Sequence, residues 1–249
     1  MKNVYFISDL HLGAKYLVPP LDYERRVVRF LDSIKDKAEK LYLLGDILDY
    51  WFEYKTVVPR GYVRFFGALA SLADSGVEIT WIVGNHDIWL FDYLKNEIGM
   101  NVVDGEVITE LSGKTFYLAH GDALGSLKRG FKFIRAVFRN HFCQRLYSII
   151  PPNWTIPFAH AWSSHSRENG FKYVVKNAEK DKFVQFACQY NATHSQKIDY
   201  FLFGHRHVVL DYHPVSMPDV TVAILGDWIS HFTYGIFDGN NFEIRKFEE

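Results

Sequence analysis

The stretch Leu41-Tyr42-Leu43-Leu44-Gly45-Asp46 is an apolar run that ends in a glycine and an acid. A short apolar run bounded by polar segments predicts a buried strand. A glycine at its end lets the backbone approach closely whatever the following side chain binds. The pattern therefore predicts a strand that carries Asp46 to the edge of a sheet.

The same arrangement recurs along the chain, because four further apolar runs end in Asp, Asn or His. The runs and their polar residues are 4–7 with Asp9 and His11, 79–83 with Asn85 and His86, 116–119 with His120 and Asp122, and 200–203 with His205 and His207. One such residue is usually a cap or a solvated surface group. Five blocks of this kind in one chain indicate a functional site.

Strand and helix signals alternate in the first half of the chain, and the last fifty residues are almost all strand. This order predicts an α/β fold in which two sheets face each other with helices outside. Predicted helices cover 22–37, 61–74 and about 89–96. Predicted strands cover 4–7, 41–44, 78–83, short segments within 101–119, and 199–203, 208–213, 220–225, 232–237 and 242–247.

Residues 123–195 differ in composition from the rest of the chain. Between residues 123 and 190 there are 11 Lys and Arg against three acids, whereas the whole chain has a net charge of −1. Residues 128–146 have helical spacing, and the apolar side of that predicted helix carries Phe131, Ile134, Phe138, Phe142 and Leu146. We expect a single domain over 1–249 with a helical cap inserted at about 123–195. These five side chains, the apolar stripe of this predicted helix, could pack on the core or contact lipid.

The composition excludes a membrane-spanning protein, since no apolar run approaches the ~20 residues that a bilayer requires. Cys143 and Cys188 are too far apart for a metal-binding motif, and we interpret them as reduced thiols. These features predict a cytoplasmic protein, with at most a peripheral contact on the cytoplasmic face of the inner membrane.

Seven residues at the predicted strand ends have the chemistry of metal ligands: Asp9, His11, Asp46, Asn85, His120, His205 and His207. Mixed oxygen and imidazole donors suit Mn²⁺, Fe²⁺ or Zn²⁺. Seven ligands exceed one coordination sphere, so we expect two metal ions and one bridging acid. Such a pair clamps the oxygens of a phosphoryl group and activates water at neutral pH. Asp-x-His and His-x-His can converge only if the chain turns, because residues i and i+2 of a strand are ~6–7 Å apart.

In combination, these five blocks resemble the motifs of the calcineurin-like metallophosphoesterases. The matching blocks are Asp9-Leu-His11, Gly45-Asp46-Ile-Leu-Asp49, Gly84-Asn85-His86-Asp87, His120-Gly-Asp122 and Gly204-His205-Arg-His207. The resemblance implies a four-layer αββα sandwich and two metal sites that share Asp46. One site would use Asp9, His11, Asp46 and His207, and the other Asp46, Asn85, His120 and His205. His86 would then contact the phosphate and protonate the leaving group.

Within this superfamily, the chain most resembles the UDP-2,3-diacylglucosamine pyrophosphatases of lipid A biosynthesis. The supporting features are its length, Asp49-Tyr-Trp51, the insertion between His120 and His205, and Leu225-Gly226-Asp227-Trp228. The resemblance implies hydrolysis of a UDP-sugar lipid to UMP and lipid X, usually with Mn²⁺, under a cap that holds the acyl chains. Those enzymes have arginine at the position of His86.

Several residues are assigned supporting roles or none. We expect Asp49 and Asp122 to orient metal-binding histidines rather than bind metal. In the polar run 163–169, Ser166 and Arg167 are candidates for contact with the sugar or phosphate. The remaining histidines lack the strand-end setting, namely His141, His160, His165, His194, His213 and His231.

The sequence leaves two alternative functions open. The first is a phosphodiesterase or phosphatase for a soluble nucleotide, and the second is a non-catalytic metal-binding scaffold. The intact set of ligands argues against a scaffold. Nucleic acid is a less favoured partner than a nucleotide-sugar lipid, and the sequence does not indicate an oligomeric state.

Overall fold

The computed structural model describes residues 2–124, 129–168 and 173–248, without the side chains of residues 129, 131, 160 and 162–168. The strands are β1 (Asn3–Ile7), β2 (Ala38–Leu44), β3 (Glu78–Ile82), β4 (Asn101–Val103), β5 (Glu106–Leu111), β6 (Lys114–Ala119), β7 (Tyr200–Phe203), β8 (Val209–Tyr212), β9 (Thr221–Leu225), β10 (Thr233–Phe237) and β11 (Phe242–Lys246). The helices are α1 (Pro20–Ile34), α2 (Val63–Asp74), α3 (Tyr93–Ile98), α4 (Arg129–Arg139), α5 (His141–Ile149), α6 (Pro152–Glu168), a 3₁₀ turn (Ala178–Lys180) and α7 (Lys182–Thr193).

The strands form two sheets. The first has six strands in the order β11-β10-β1-β2-β3-β4, and the second has five in the order β5-β6-β7-β9-β8. Strands β1 to β4 are parallel neighbours, as are β6, β7 and β9. Parallel neighbours end at the same edge of a sheet, so the polar residues that follow these strands are collected at one edge.

Three apolar clusters show how the layers stack. One lies between the first sheet and helices α1 and α2, the second lies between the two sheets, and the third lies between the second sheet and α7. Successive side chains of a strand point to opposite faces, and β1 shows this directly. Tyr5 and Ile7 belong to the first cluster, whereas Val4 and Phe6 belong to the second. The predicted four-layer αββα sandwich is confirmed.

The predicted single helix over 128–146 is wrong in one respect. The structure has two helices, α4 and α5, separated at Asn140. The Asn140 side chain accepts hydrogen bonds from the main-chain N–H groups of Phe142 and Cys143, at 2.9 and 3.1 Å. This is an N-cap interaction, and it starts a new helix at a position where the apolar spacing alone continues.

Helices α4 and α5 pack on the loop that follows β2 and on Trp89. The Trp89 ring lies 5.1 Å from the Tyr147 ring and 5.2 Å from the Phe138 ring, and the hydroxyls of Tyr50 and Tyr147 are 3.0 Å apart. Phe142 is 68% exposed. The stripe is therefore divided, because Phe138 packs on the core and Phe142 faces solvent.

Among the described helices, none combines the length and the apolar character that crossing a membrane requires.

Candidate metal centre

The candidate ligands follow strands of both sheets and meet where the two sheets face each other. Asp9 and His11 follow β1, Asp46 follows β2 and Asn85 follows β3. From the second sheet, His120 follows β6, and His205 and His207 follow β7. Asp9, His11, Asp46 and His120 are almost completely buried.

Five of these residues have left-handed backbone conformations. Their φ angles are 55° at Asp9, 48° at His11, 53° at Asp46, 69° at His205 and 53° at His207. A non-glycine residue in this region costs roughly 1 kcal/mol or more. The predicted turns in Asp-x-His and His-x-His are therefore present, and the surrounding structure holds them against a local energetic cost.

Asp46 lies between histidines from the two sheets. Its Oδ2 is 3.2 Å from His120 Nε2 and 3.8 Å from His11 Nε2, and its Oδ1 accepts a 2.9 Å hydrogen bond from the His86 main-chain N–H. Asn85 Oδ1 is 3.2 Å from His120 Nε2. One carboxylate is therefore close to both groups of imidazoles, which is the position a bridging ligand requires.

Asp9 has one oxygen held by hydrogen bonds and one directed into the cluster. Oδ2 accepts hydrogen bonds from the Ser8 hydroxyl at 2.6 Å and the His205 main-chain N–H at 2.9 Å. Oδ1 is buried and forms no hydrogen bond within residues 2–124, 129–168 and 173–248, although it lies 3.7 Å from His11 Nε2 and 3.4 Å from His207 Nε2. A buried carboxylate oxygen without a hydrogen bond is costly, and a cation at this point would compensate it.

The hydrogen bonds of the histidines direct Nε2 towards the carboxylates. His120 Nδ1 lies 2.8 Å from the Leu44 carbonyl oxygen, and His207 Nδ1 lies 3.2 Å from Asp227 Oδ2. Both partners only accept, so Nδ1 carries the proton in each neutral ring and Nε2 has the lone pair. This is the arrangement by which other proteins fix metal-binding imidazoles.

The electrostatics of the cluster favour a bound cation. Burial opposes ionisation of the Asp46 carboxyl, but the His120 and His86 imidazoles hold its pKa well below the usual range. Burial also opposes protonation of His120, yet the Asp46 carboxylate raises the pKa of that imidazole to about 10. Burial, followed by the charge on His120, lowers the pKa of His205 to about 4. A metal ion would replace the proton that His120 otherwise shares with Asp46.

The residues present fit a pair of divalent metal ions. Three groups bring one ligand atom per residue to within 4.8 Å of one another: Asp9, His11 and His207; His11, Asp46 and His86; and Asp46, His120 and His205. Carboxylate oxygens mixed with imidazole nitrogens suit divalent metal ions. Two of these groups share Asp46.

The predicted supporting residues lie at different distances from the cluster. The Asp49 carboxylate is 3.7 Å from Nδ1 of both His11 and His86. Asp122 Oδ2 accepts a 3.1 Å hydrogen bond from Arg135 Nε. Ser166 and Arg167 fall within α6, but their side chains lie outside the described structure.

Asp227 was missed as a site residue by the sequence analysis, and His231 was set aside. Asp227 Oδ2 faces His207 Nδ1, while its Oδ1 accepts from the main-chain N–H groups of Ile229, Ser230 and His231 at 2.8–3.1 Å and lies 3.1 Å from His231 Nδ1. A signal was available, because β9 followed by Gly226-Asp227 repeats the pattern of Leu44-Gly45-Asp46.

Replacing Asp227 with asparagine should weaken the metal site through His207. Both carboxylate oxygens accept hydrogen bonds, so the amide NH₂ must oppose a donor on one side, whichever way the side chain is oriented. Losses at such supporting positions are typically 10–100-fold in metal affinity or activity. Titration of hydrolysis with Mn²⁺ should show a higher half-saturating concentration. An unchanged titration would mean that His207 is oriented without Asp227.

The comparison with known families agrees with the geometry. The family model of the calcineurin-like phosphoesterases matches residues 2–209, which include all seven candidate ligands. The chain belongs to the calcineurin-like phosphoesterase family.

Individual proteins align with this chain over almost its full length. UDP-2,3-diacylglucosamine hydrolase of Porphyromonas gingivalis is 39% identical over 99% of this chain and 98% of its own. The enzyme of the same name from Hahella chejuensis is 28% identical over 96% and 95%. Among solved structures, a Thermotoga maritima protein aligns with a TM-score of 0.43 at 14% identity, covering 99% of this chain and 100% of its own.

Proposed function

We propose that this protein is a di-metal hydrolase that cleaves the pyrophosphate bond of UDP-2,3-diacylglucosamine, giving UMP and 2,3-diacylglucosamine 1-phosphate. The observation that carries the proposal is the full-length similarity to the P. gingivalis enzyme of that name. Support comes also from the groups of carboxylate and imidazole ligand atoms that lie within 4.8 Å of one another around Asp9 and Asp46. The similarity supports the substrate, and the cluster supports the reaction class.

Two metal ions would be held by the residues already described. Asp9, His11, Asp46 and His207 would hold one ion, and Asp46, Asn85, His120 and His205 the other, with Mn²⁺ as the expected metal and Fe²⁺ or Zn²⁺ as alternatives. Such a pair, when bound, supplies a nucleophile from water and stabilises charge on the phosphoryl oxygens. The chain itself would keep the Nε2 lone pairs of His120 and His207 directed inward and hold Asp46 between the two groups.

His86 is the proposed group that assists the leaving group. Its ring lies 4.9 Å from the His11 ring, and its Nδ1 is 3.1 Å from the Asp49 carbonyl oxygen. A carbonyl oxygen only accepts, so Nδ1 carries a proton and Nε2 is the atom that gains or donates one. In the proposed reaction, protonated Nε2 donates to the oxygen that departs from phosphorus.

Helices α4, α5 and α6 are the proposed cap for the sugar and acyl chains. Their exposed apolar side chains include Phe133, Phe142, Ile149, Trp154 and Phe158, which are 63–77% exposed. Exposed apolar residues on consecutive helices suit acyl chains or a membrane surface. The cap is thus proposed to contact the cytoplasmic face of the membrane in which the substrate resides, with Ser166 and Arg167 as candidate contacts to the sugar or phosphate.

Release of UMP tests this proposal. Metal-stripped protein reloaded with Mn²⁺ should release UMP from UDP-2,3-diacylglucosamine in detergent micelles far faster than it hydrolyses bis-p-nitrophenyl phosphate. The reason is that the proposed cap binds acyl chains, which bis-p-nitrophenyl phosphate does not have. A chelator should stop both reactions, and Mn²⁺ should restore both. Turnover of the diester without UMP release would retain the di-metal chemistry and assign the site to a soluble phosphoester. Absence of both activities in the Mn²⁺-loaded protein would overturn the proposal.

A further inference from the structure

Arg206 lies between two candidate ligands, His205 and His207, in the chain. Its own side chain contacts Tyr173 and Asp181, which precede α7, and Phe183 in the first turn of α7. The guanidinium is centred 3.7 Å from the Phe183 ring and 4.4 Å from the Tyr173 ring. Its Nη1 donates to Asp181 Oδ2 at 2.6 Å and to the Tyr173 hydroxyl at 2.7 Å. The side chain is only 11% exposed. An arginine held by two rings and a carboxylate is an anchored group rather than a solvated one.

Asp181 is the fixed partner in this cluster. It is buried, and its Oδ1 accepts a 2.8 Å hydrogen bond from the Phe183 main-chain N–H, which caps α7. Its Oδ2 accepts from both Arg206 and the Tyr173 hydroxyl. A buried carboxylate is tolerated when its hydrogen bonds are satisfied in this way. Arg206 is therefore attached to the first turn of a helix that packs in the third apolar cluster.

Phe183 connects the loops of two candidate ligands. Its ring lies against the guanidinium of Arg206, which follows His205 in the chain, and also against Gly121, which follows His120. A Cβ built on Gly121 would lie 2.6 Å from Phe183 Cζ, so the ring occupies the space that a larger residue would need. Asp46, His120 and His205 form one of the groups whose ligand atoms converge within 4.8 Å.

We infer that Arg206 is a positioning residue for the metal ion held by Asp46, His120 and His205. By pairing with Asp181 and stacking on Phe183, it holds the His205 loop at a fixed distance from the His120 loop. The inference rests on the metal site of the proposed function. Residues that orient ligands typically change metal affinity by 10–100-fold when they are replaced.

Calorimetric titration of the metal-stripped full chain with Mn²⁺ tests the inference. The parent should bind two ions. Arg206→Ala should bind one ion as the parent does and the other 10–100-fold more weakly. Arg206→Lys keeps the charge but not the planar stack, and its affinity for that second ion should lie between those of the parent and Arg206→Ala. Arg245→Ala is the matched control, because Arg245 is exposed and pairs with Glu243 on β11. Its titration should match that of the parent.

Activity with bis-p-nitrophenyl phosphate separates positioning from general stability. For Arg206→Ala, half-maximal activation should require 10–100-fold more Mn²⁺, and the maximal rate should return towards that of the parent at saturation. A purely structural role would lower the melting temperature and leave the Mn²⁺ affinity of the folded protein unchanged. If Arg206→Ala does not fold by circular dichroism, Arg206→Lys decides.

The outcomes distinguish this inference from the proposal on which it rests. Equal Mn²⁺ affinities in the parent and in the folded Arg206 variants would overturn the positioning role and leave the metal site intact. A parent that binds fewer than two Mn²⁺ ions would overturn both. Neither result depends on the lipid substrate.

Discussion

Replacing Asp46 with asparagine should reduce hydrolysis of any phosphoester substrate by roughly 10³-fold or more. Asp46 Oδ2 lies within 3.8 Å of imidazoles from both sheets, so the proposed metal ions depend on the same carboxylate. The substitution removes the negative charge that would bridge them. A loss of about 4 kcal/mol of transition-state stabilisation corresponds to a thousandfold in rate, and metal-based charge stabilisation is worth several kcal/mol.

The asparagine variant should remain folded, because asparagine has nearly the same shape and its carbonyl can still accept the hydrogen bond from the His86 main-chain N–H. We expect circular dichroism melting close to that of the parent, together with weaker binding of both Mn²⁺ ions by calorimetry. Asp22→Asn is the matched control, since Asp22 is exposed on α1 and pairs with Arg25. A rate for Asp46→Asn within tenfold of the parent would show that Asp46 does not bridge two metal ions.

The overall architecture could be predicted from the sequence because apolar runs and their order carry the information. Each strand of the parallel core is an apolar segment that ends in a polar block, and parallel strands deliver their ends to one edge. The proximity of Asp9 and Asp46 follows from strand order and direction within the first sheet, whereas His120 reaches them because the second sheet faces the first. The insertion of antiparallel β10 beside β1 does not follow, since pairing partners far apart in sequence leave no local signal.

The finer geometry of the site could not be predicted, because main-chain groups provide much of it. His120 is oriented by the Leu44 carbonyl and His86 by the Asp49 carbonyl, and every residue type has a carbonyl. The predicted single helix over 128–146, which the structure divides at Asn140, was wrong for a different reason. A cap competes with helical continuation, and the apolar periodicity of α4 and α5 gives no sign of which one prevails.

Replacing Gly84 with alanine should cause the second large loss of activity, because the absence of a side chain at this position makes room for Asp46. A Cβ built on Gly84 would lie 2.3 Å from both the main-chain N and Oδ1 of Asp46. Real Cβ atoms do not approach so closely, so Gly84→Ala must displace Asp46 or the loop after β3. The loop is itself tied down, since the Gly84 N–H donates to Asp87 Oδ1 at 2.7 Å. We expect activity to fall by about 10²-fold, the cost of a displacement near 1 Å in a catalytic group.

Gly67→Ala is the control that isolates this steric effect. Gly67 is exposed on α2, and a Cβ there would meet no atom within 4 Å. Alanine should stabilise the helix by up to ~1 kcal/mol and leave hydrolysis of bis-p-nitrophenyl phosphate unchanged. Parent-like activity and Mn²⁺ affinity in Gly84→Ala would show that Asp46 can move without loss of function. A selective loss in Gly84→Ala would instead show that the proposed site requires the close approach of the β2 and β3 loops, which only glycine permits here.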